Sequence, residues 1–471
     1  MINAAYNNSS FIDDDGKSNG KESYEKHRSI ELSTKSANSF QSTGDYEPYD
    51  HRKVEIPLTN FDTIIHLFKM SLGTGIFAMP NAFKSSGYIV GFIGTIILGT
   101  IATSCVHTLV NLEYFLCKLK KVPSMNYPNT AEAALLAGPE PFHKYAKTMV
   151  HVINAFLLLY QIGSSCIYVV FMTTNIQAVL ASFGYNIHIR LLAVIILVPL
   201  ILLNWIRKLK YLTPLSTIGN FITIGSFLVI FYYIFREPFT LEGKKPYATV
   251  SEFPMFFCTV LFALEAIGVI MPLENEMRTP KDFRGSTGIL NRAMFLIVAL
   301  YIGLGLTGYL RYGDEIKPTI TINLPQTDTL ALLAKALIAV SVFATHALSC
   351  YVAIDIAWSE YILKRIEKSN RKLLWEYALR TGIVFITFVM AVAIPDLDLF
   401  ISLIGALSLA TLGILFPPFL ETVAKWNRVS GFTKALMISK NLLFGVIGLA
   451  GFFIGSSISM KDIINRYLEE S

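Results

Sequence analysis

Eleven stretches of roughly 18 or more mostly apolar residues run through this chain, near 61–83, 88–116, 148–182, 189–206, 212–235, 253–276, 288–312, 329–358, 373–394, 399–421 and 434–459. A helix needs roughly 20 such residues to cross the hydrocarbon core of a bilayer. In lipid every backbone N–H and C=O must be satisfied within the segment, so stretches of this length are read as helices. Composition agrees: charged residues are 16% of the chain and mean hydropathy is +0.50, against about 25% charged in an ordinary soluble domain. A soluble enzyme, a nucleic-acid-binding protein and a disordered scaffold are excluded for the body of the chain.

Loop charge predicts the orientation. Loops after the even-numbered spans hold 18 Lys and Arg, and those after spans 1, 3, 5, 7 and 9 hold six. Basic residues gather on the cytoplasmic side. The N-terminus is therefore expected in the cytoplasm and the C-terminus outside or in a lumen. Residues 1–56 are rich in Ser and Asn and contain Asp13-Asp14-Asp15. They hold too little apolar surface to offset the entropy of ordering, and are read as a disordered cytoplasmic tail open to cytoplasmic partners. Residues 57–460 are then the membrane domain and 461–471 a short outer or lumenal terminus. The five cysteines, Cys105, Cys117, Cys166, Cys258 and Cys350, all fall in or beside apolar segments, and are expected to be packed thiols without a metal site.

Two spans are interrupted. The first reads Ser71-Leu72-Gly73-Thr74-Gly75-Ile76-Phe77-Ala78-Met79-Pro80, and the sixth Phe262-Ala263-Leu264-Glu265-Ala266-Ile267-Gly268-Val269-Ile270-Met271-Pro272. Glycine lowers helix propensity, and proline removes a donor and clashes with the turn before it. The two Met-Pro pairs lie 192 residues apart, each at the start of a set of five spans. Paired interruptions mark an inverted-repeat transporter, in which unwound backbone lines the binding cavity. Freed amides at half-helix N-termini suit a carboxylate and freed carbonyls suit an ammonium. The expected ligand is a zwitterion, held by Gly73, Thr74 and Gly75 of span 1 and by Phe262, Glu265 and Gly268 of span 6.

Ionisable groups at depth are costly, which makes them functional candidates. His66 and Lys69 share a face of span 1 before the break. His66 fits either a proton carrier or a neutral imidazole held by a backbone carbonyl, and Lys69 a snorkelling or paired cation. Glu265 fits either a carrier of the coupled proton or a hydrogen-bonded support of the broken helix. Glu274, Glu276 and His346 are candidate gate residues. Tyr168 and Tyr160 of span 3 are candidate donors to a substrate carboxylate. No His-Glu-x-x-His sequence points to a zinc peptidase, and no charged ring or filter points to a channel.

These residues resemble the proton-coupled amino acid transporters of the amino acid/auxin permease group. The similarity lies in Ile65-His66-Leu67-Phe68-Lys69 with Gly73-Thr74-Gly75-Ile76, in Glu265-Ala266-Ile267-Gly268 with Pro272-Leu273-Glu274-Asn275-Glu276-Met277, in Thr319-Ile320-Thr321-Ile322-Asn323-Leu324-Pro325, and in the run from Pro395 to Gly405. It implies an all-α integral membrane protein of LeuT-like type. That fold has eleven helices: a five-plus-five inverted repeat and one extra helix, with helices 1 and 6 broken. It implies symport of small neutral amino acids such as glycine, alanine and proline with protons, at the plasma membrane or an endosomal, lysosomal or vacuolar membrane. H+ is the coupling ion and no cofactor is expected. His66 falls on the family's functional first-helix histidine, and Gly73-Thr74-Gly75 on its substrate loop. The chain departs from well-known members in a short loop near Phe183–Ile189 and in His346, where a tyrosine is expected. The alternative is a transporter-like receptor that senses amino acids and signals through the tail.

Overall fold

A computed structural model describes residues 46–470, apart from 53, 55, 56, 72, 208, 265, 266, 368 and 395. Among these residues the regular structure is helical, with one isolated parallel bridge between Leu58 and Met277. The α-helices of eight residues or more are α1 (Asn60–Ser71), α2 (Met79–Ser86), α3 (Tyr88–Lys120), α4 (Tyr127–Ala137), α5 (Ala146–Ser182), α6 (Ile189–Asn204), α7 (Leu209–Phe235), α8 (Phe253–Ala263) and α9 (Ile267–Asn275). They continue as α10 (Ile289–Tyr312), α11 (Thr329–Ile356), α12 (Lys372–Ala393), α13 (Leu397–Ile404), α14 (Phe416–Lys425), α15 (Gly431–Ala450) and α16 (Ser456–Glu470).

Among the described residues, eight helical segments are long and apolar enough to cross a membrane. The sequence predicts eleven spans, and the three that fall short are the first, fourth and sixth. The first is divided into α1, a 3₁₀ turn at Thr74–Ala78, and α2; the sixth into α8 and α9. The fourth, α6, is 16 residues long with Pro199 inside it. By length and composition alone the structure therefore supports eight spans.

α5 and α11 are largely buried, whereas the C-terminal segment Gly431–Arg466 is the least buried of the eight. It presents Leu436, Leu442, Leu443, Val446 and Phe453 outward, as a lipid-facing helix should. Between α13 and α14 the chain widens into a π-helical segment, Gly405–Leu415. Gly405 is needed there: a β-carbon on it would lie 2.1 Å from the Cys258 carbonyl oxygen of α8. That close approach seats the first half of the sixth span against the tenth.

The sequence reading places the disordered tail at 1–56, but residues 46–52 are folded against the bundle. Pro48–His51 form a 3₁₀ turn with Pro48 buried, and the Tyr49 ring stacks on Tyr114 of α3 at 4.9 Å. The Glu47 carboxylate accepts a hydrogen bond from the Tyr114 hydroxyl at 2.9 Å. Two tyrosines and a proline in a polar stretch supply the apolar surface that the average composition hides. Residues 1–45, 53, 55 and 56 of the tail lie outside the described residues. The five cysteines are free and buried.

Candidate functional site

The first break begins where α1 ends at Ser71. Gly73 is extended (φ −79°, ψ −166°) and the chain resumes as a 3₁₀ turn. Pro80 then falls in the first turn of α2, where a missing N–H costs nothing. The second break follows Ala263, and the Leu264 N–H closes the last turn on the Val260 carbonyl. Each half-helix thus ends with carbonyls that lack intrahelical partners.

Two of these ends meet at one side chain. The Tyr301 hydroxyl of α10 donates to the Ala263 carbonyl at 2.6 Å and lies in contact with the Ser71 carbonyl. Tyr301 is fully buried. A phenol has one proton, so it satisfies one of the two carbonyls at a time. Nothing local in the sequence flags Tyr301 among 22 tyrosines, because its partners lie 38 and 230 residues away.

The glycines divide by their surroundings. A β-carbon on Gly75 would sit 2.7 Å from the Ala263 Cα and 3.1 Å from the Phe262 ring, so the two broken spans touch backbone to backbone there. Among the described residues, Gly73 and Gly268 face open space, with nothing within 4 Å of a β-carbon built on them. Beside Gly73, the buried hydroxyls of Ser71 and Thr74 have no hydrogen-bond partner among the described residues. Phe77 stacks on Phe171 of α5 at 5.7 Å and on Phe227 of α7 at 4.9 Å. Tyr168 is buried one turn before Phe171, on the same helix face. The structure thus brings together Gly73, Thr74, Gly75 and Phe262, and ties them to the face that bears Tyr168.

The ionisable candidates are placed differently. His66 is half-buried, seven residues and about 10 Å before Gly73 along the helix. It lies one turn after Asp62, whose carboxylate it feels electrostatically. Glu265, and the side chain of Lys69, lie outside the described residues. His346 is fully buried. Its ring nitrogens approach Asn204 of α6 at 3.5 Å, Thr387 of α12 at 3.4 Å and Cys350 of its own helix at 3.7 Å, so its partners belong to the fourth, eighth and ninth spans.

Glu274 lies at the far end of α9, in a buried charge cluster. Arg52 donates through Nη1 to the Glu274 carboxylate at 2.9 Å and through Nε to the Pro123 carbonyl at 3.0 Å. Arg52 Nη2 lies 3.7 Å from Glu113 of α3. The three side chains are 5%, 1% and 2% exposed, so both buried carboxylates share this guanidinium, and Glu113 also accepts from the Met125 N–H at 3.0 Å. The cluster is roofed by Tyr49 and by Arg284, which lies 4.0 Å over the Tyr114 ring. Burial, and then the Glu274 charge, push the Tyr49 phenol above its usual range. Glu276 follows α9 and is buried, and its carbonyl accepts from Leu58 N–H at 2.9 Å. Nearby, Asn60 donates to Asp282 at 2.8 Å and accepts from Thr279 at 2.8 Å. Hydrogen bonds from Asn60 and Thr279 hold the Asp282 carboxyl below its usual range. Both broken spans are thus anchored together at this end. Sequence reasoning missed Arg52 and Glu113, since Arg52 and Glu274 lie 222 residues apart.

The family model for transmembrane amino acid transporter proteins matches residues 57–461. The Drosophila melanogaster "proton-coupled amino acid transporter-like protein pathetic" is 36% identical over 90% of this chain and 89% of its own length. The Caenorhabditis elegans "probable amino acid transporter skat-1" is 25% identical over 87% and 91%. Among solved structures, a nucleobase-cation-symport-1 family transporter in a closed conformation with bromovinylhydantoin bound matches with TM-score 0.48 and 14% identity, over 91% of this chain and 97% of that one. A Na+-coupled sialic acid symporter in a substrate-bound outward-open state matches with TM-score 0.48 and 15% identity, over 88% and 91%.

Proposed function

The chain belongs to the transmembrane amino acid transporter family, and from that premise we propose that it is a secondary active transporter carrying small neutral amino acids of the glycine, alanine and proline type together with protons. The observation that carries this reading is the meeting of the two broken spans, with Gly75 against Ala263 beside the unpartnered hydroxyls of Ser71 and Thr74. The ligand carboxylate docks on the amides that follow Gly73, at the positive start of the outer half-helix. Its ammonium faces the carbonyl end of α8, and Phe262, Gly268 and Tyr168 bound its side chain. A small uncharged side chain fits a site whose described groups are hydroxyls, glycines and aromatic rings. His66 and Glu265 carry the coupled proton.

In this reading the N-terminus is cytoplasmic and the C-terminus outer or lumenal, at the plasma membrane or an endosomal or lysosomal membrane. Residues 57–460 form the transport domain. The Arg52–Glu113–Glu274 cluster then closes the cytoplasmic end, with Glu276 beside it, and parts as one bundle rocks against the other. The test is uptake of labelled glycine, alanine and proline into proteoliposomes with an acidic exterior, with His66→Gln alongside. Concentrative uptake that ends when the proton gradient is collapsed supports the proposal. Uptake indifferent to the gradient refutes the coupling, and no uptake of any of the three refutes the substrate class. A sensing role gains support from the docking of Tyr46–Arg52, which links the tail to the end of α9. Deletion of residues 1–45 that abolished nutrient signalling and spared uptake would favour it.

A further inference from the structure

Tyr301 occupies the point where the carbonyl ends of α1 and α8 converge. Both carbonyls sit at the negative end of a half-helix dipole and lack an intrahelical partner. Two such oxygens converging at depth form the kind of place where transporters of broken-helix design hold a coupling cation. Here the space between them holds a phenol. The Tyr301 hydroxyl oxygen lies 2.6 Å from the Ala263 oxygen. Oxygens that share one hard cation at about 2.3–2.6 Å each lie roughly 3 Å or more apart. A separation of 2.6 Å calls for a hydrogen atom between the oxygens and leaves no room for a metal ion.

We infer that Tyr301 is a specificity-determining residue for the coupling ion: its hydroxyl group takes the place of a monovalent metal cation between the Ser71 and Ala263 carbonyls. Ligand binding and folding therefore proceed without Na+. Loss of the hydroxyl leaves two bare carbonyls, together with the unpartnered hydroxyls of Ser71 and Thr74. The two carbonyl oxygens at Tyr301 are hard donors of the kind that suit an alkali cation. The inference rests on the transporter reading for its meaning, but its test uses no amino acid, so the two fail separately.

The experiment is thermal unfolding of the purified full chain in detergent, in NaCl or in choline chloride of equal concentration. The comparison covers wild type, Tyr301→Phe, and Tyr301→His, which keeps a donor. Wild type and Tyr301→His should unfold at the same Tm in both salts. Tyr301→Phe should unfold several degrees lower in choline and recover in Na+ along a saturable curve, as expected when a ligand binds only the folded state. A merely structural phenol would lower Tm equally in both salts. Saturable stabilisation of wild type by Na+ overturns the inference. So does a folded Tyr301→Phe that ignores Na+, or a Tyr301→Phe that fails to fold in either salt.

Discussion

The two broken spans are joined at two levels, by different chemistry. At the end bearing Arg52 the joint is ionic: one guanidinium serves Glu113 and Glu274, and Asn60 reaches Asp282. At the level of the breaks, the joint among the described residues is uncharged. It consists of Tyr301 on two carbonyls, Gly75 on Ala263, and the stacked rings of Phe77, Phe171 and Phe227. Ion pairs near an aqueous face can exchange their partners for water each time the face opens. A hydroxyl–carbonyl contact at depth has no water to exchange with. The ionic joint is therefore suited to a gate, and the neutral one to a pivot that stays closed throughout.

The comparison breaks hardest at Arg52. Arg52→Ala removes the guanidinium paired with two buried carboxylates, and removal of one partner of such a pair typically costs about 3–5 kcal/mol. Thermal unfolding should show a large loss, with partial recovery in Arg52→Ala/Glu274→Gln, where one of the uncompensated charges is also gone. A double variant no better than the single would show that the pair does not hold this end.

At the neutral joint two glycines two residues apart should behave differently. Gly75→Ala forces a β-carbon into the Ala263 backbone, an overpacking that costs about 1–3 kcal/mol, and it should abolish amino acid binding as the half-helices part. Gly73→Ala meets open space at ordinary φ, so its stability should shift by less than about 0.5 kcal/mol while ligand affinity falls. Equal stability losses in the two variants would contradict the backbone contact.

The smallest effect belongs to Asp282. Its folded pKa is depressed below the usual 3.8 by hydrogen bonds from Asn60 and Thr279. The unfolded state therefore binds the proton first as pH falls, and the contribution to stability is present above that value and lost below it. Asp282→Asn should flatten the acid limb of the pH–stability curve slightly and leave neutral stability unchanged. An unchanged acid limb would remove this contact from the ionic joint.

Much of this arrangement was legible in the sequence because its signals are local. Apolar runs mark helices, and Gly73, Gly75, Gly268 and the two Met-Pro pairs mark the interrupted spans. The same interruptions account for two of the three stretches that fall short of a span by length, since a broken helix is two short helices; the third, α6, is a single helix of 16 residues. The contacts across the bundle were not legible. Tyr301 meets carbonyls 38 and 230 residues away, and Arg52 was averaged into a polar tail although its partner lies 222 residues on. His66 was read as a neighbour of the break. About two helical turns separate it from Gly73.

The proposed transport mechanism places the amino acid in the open space at Gly73. Gly73→Cys places a thiol there, and the five native cysteines are buried, so its modification by a small thiol reagent can be followed against a low background. Saturating alanine or glycine should slow that modification several-fold, while glutamate should leave it unchanged. An equal rate with and without alanine, glycine and proline, in a variant that is folded, would contradict the claim.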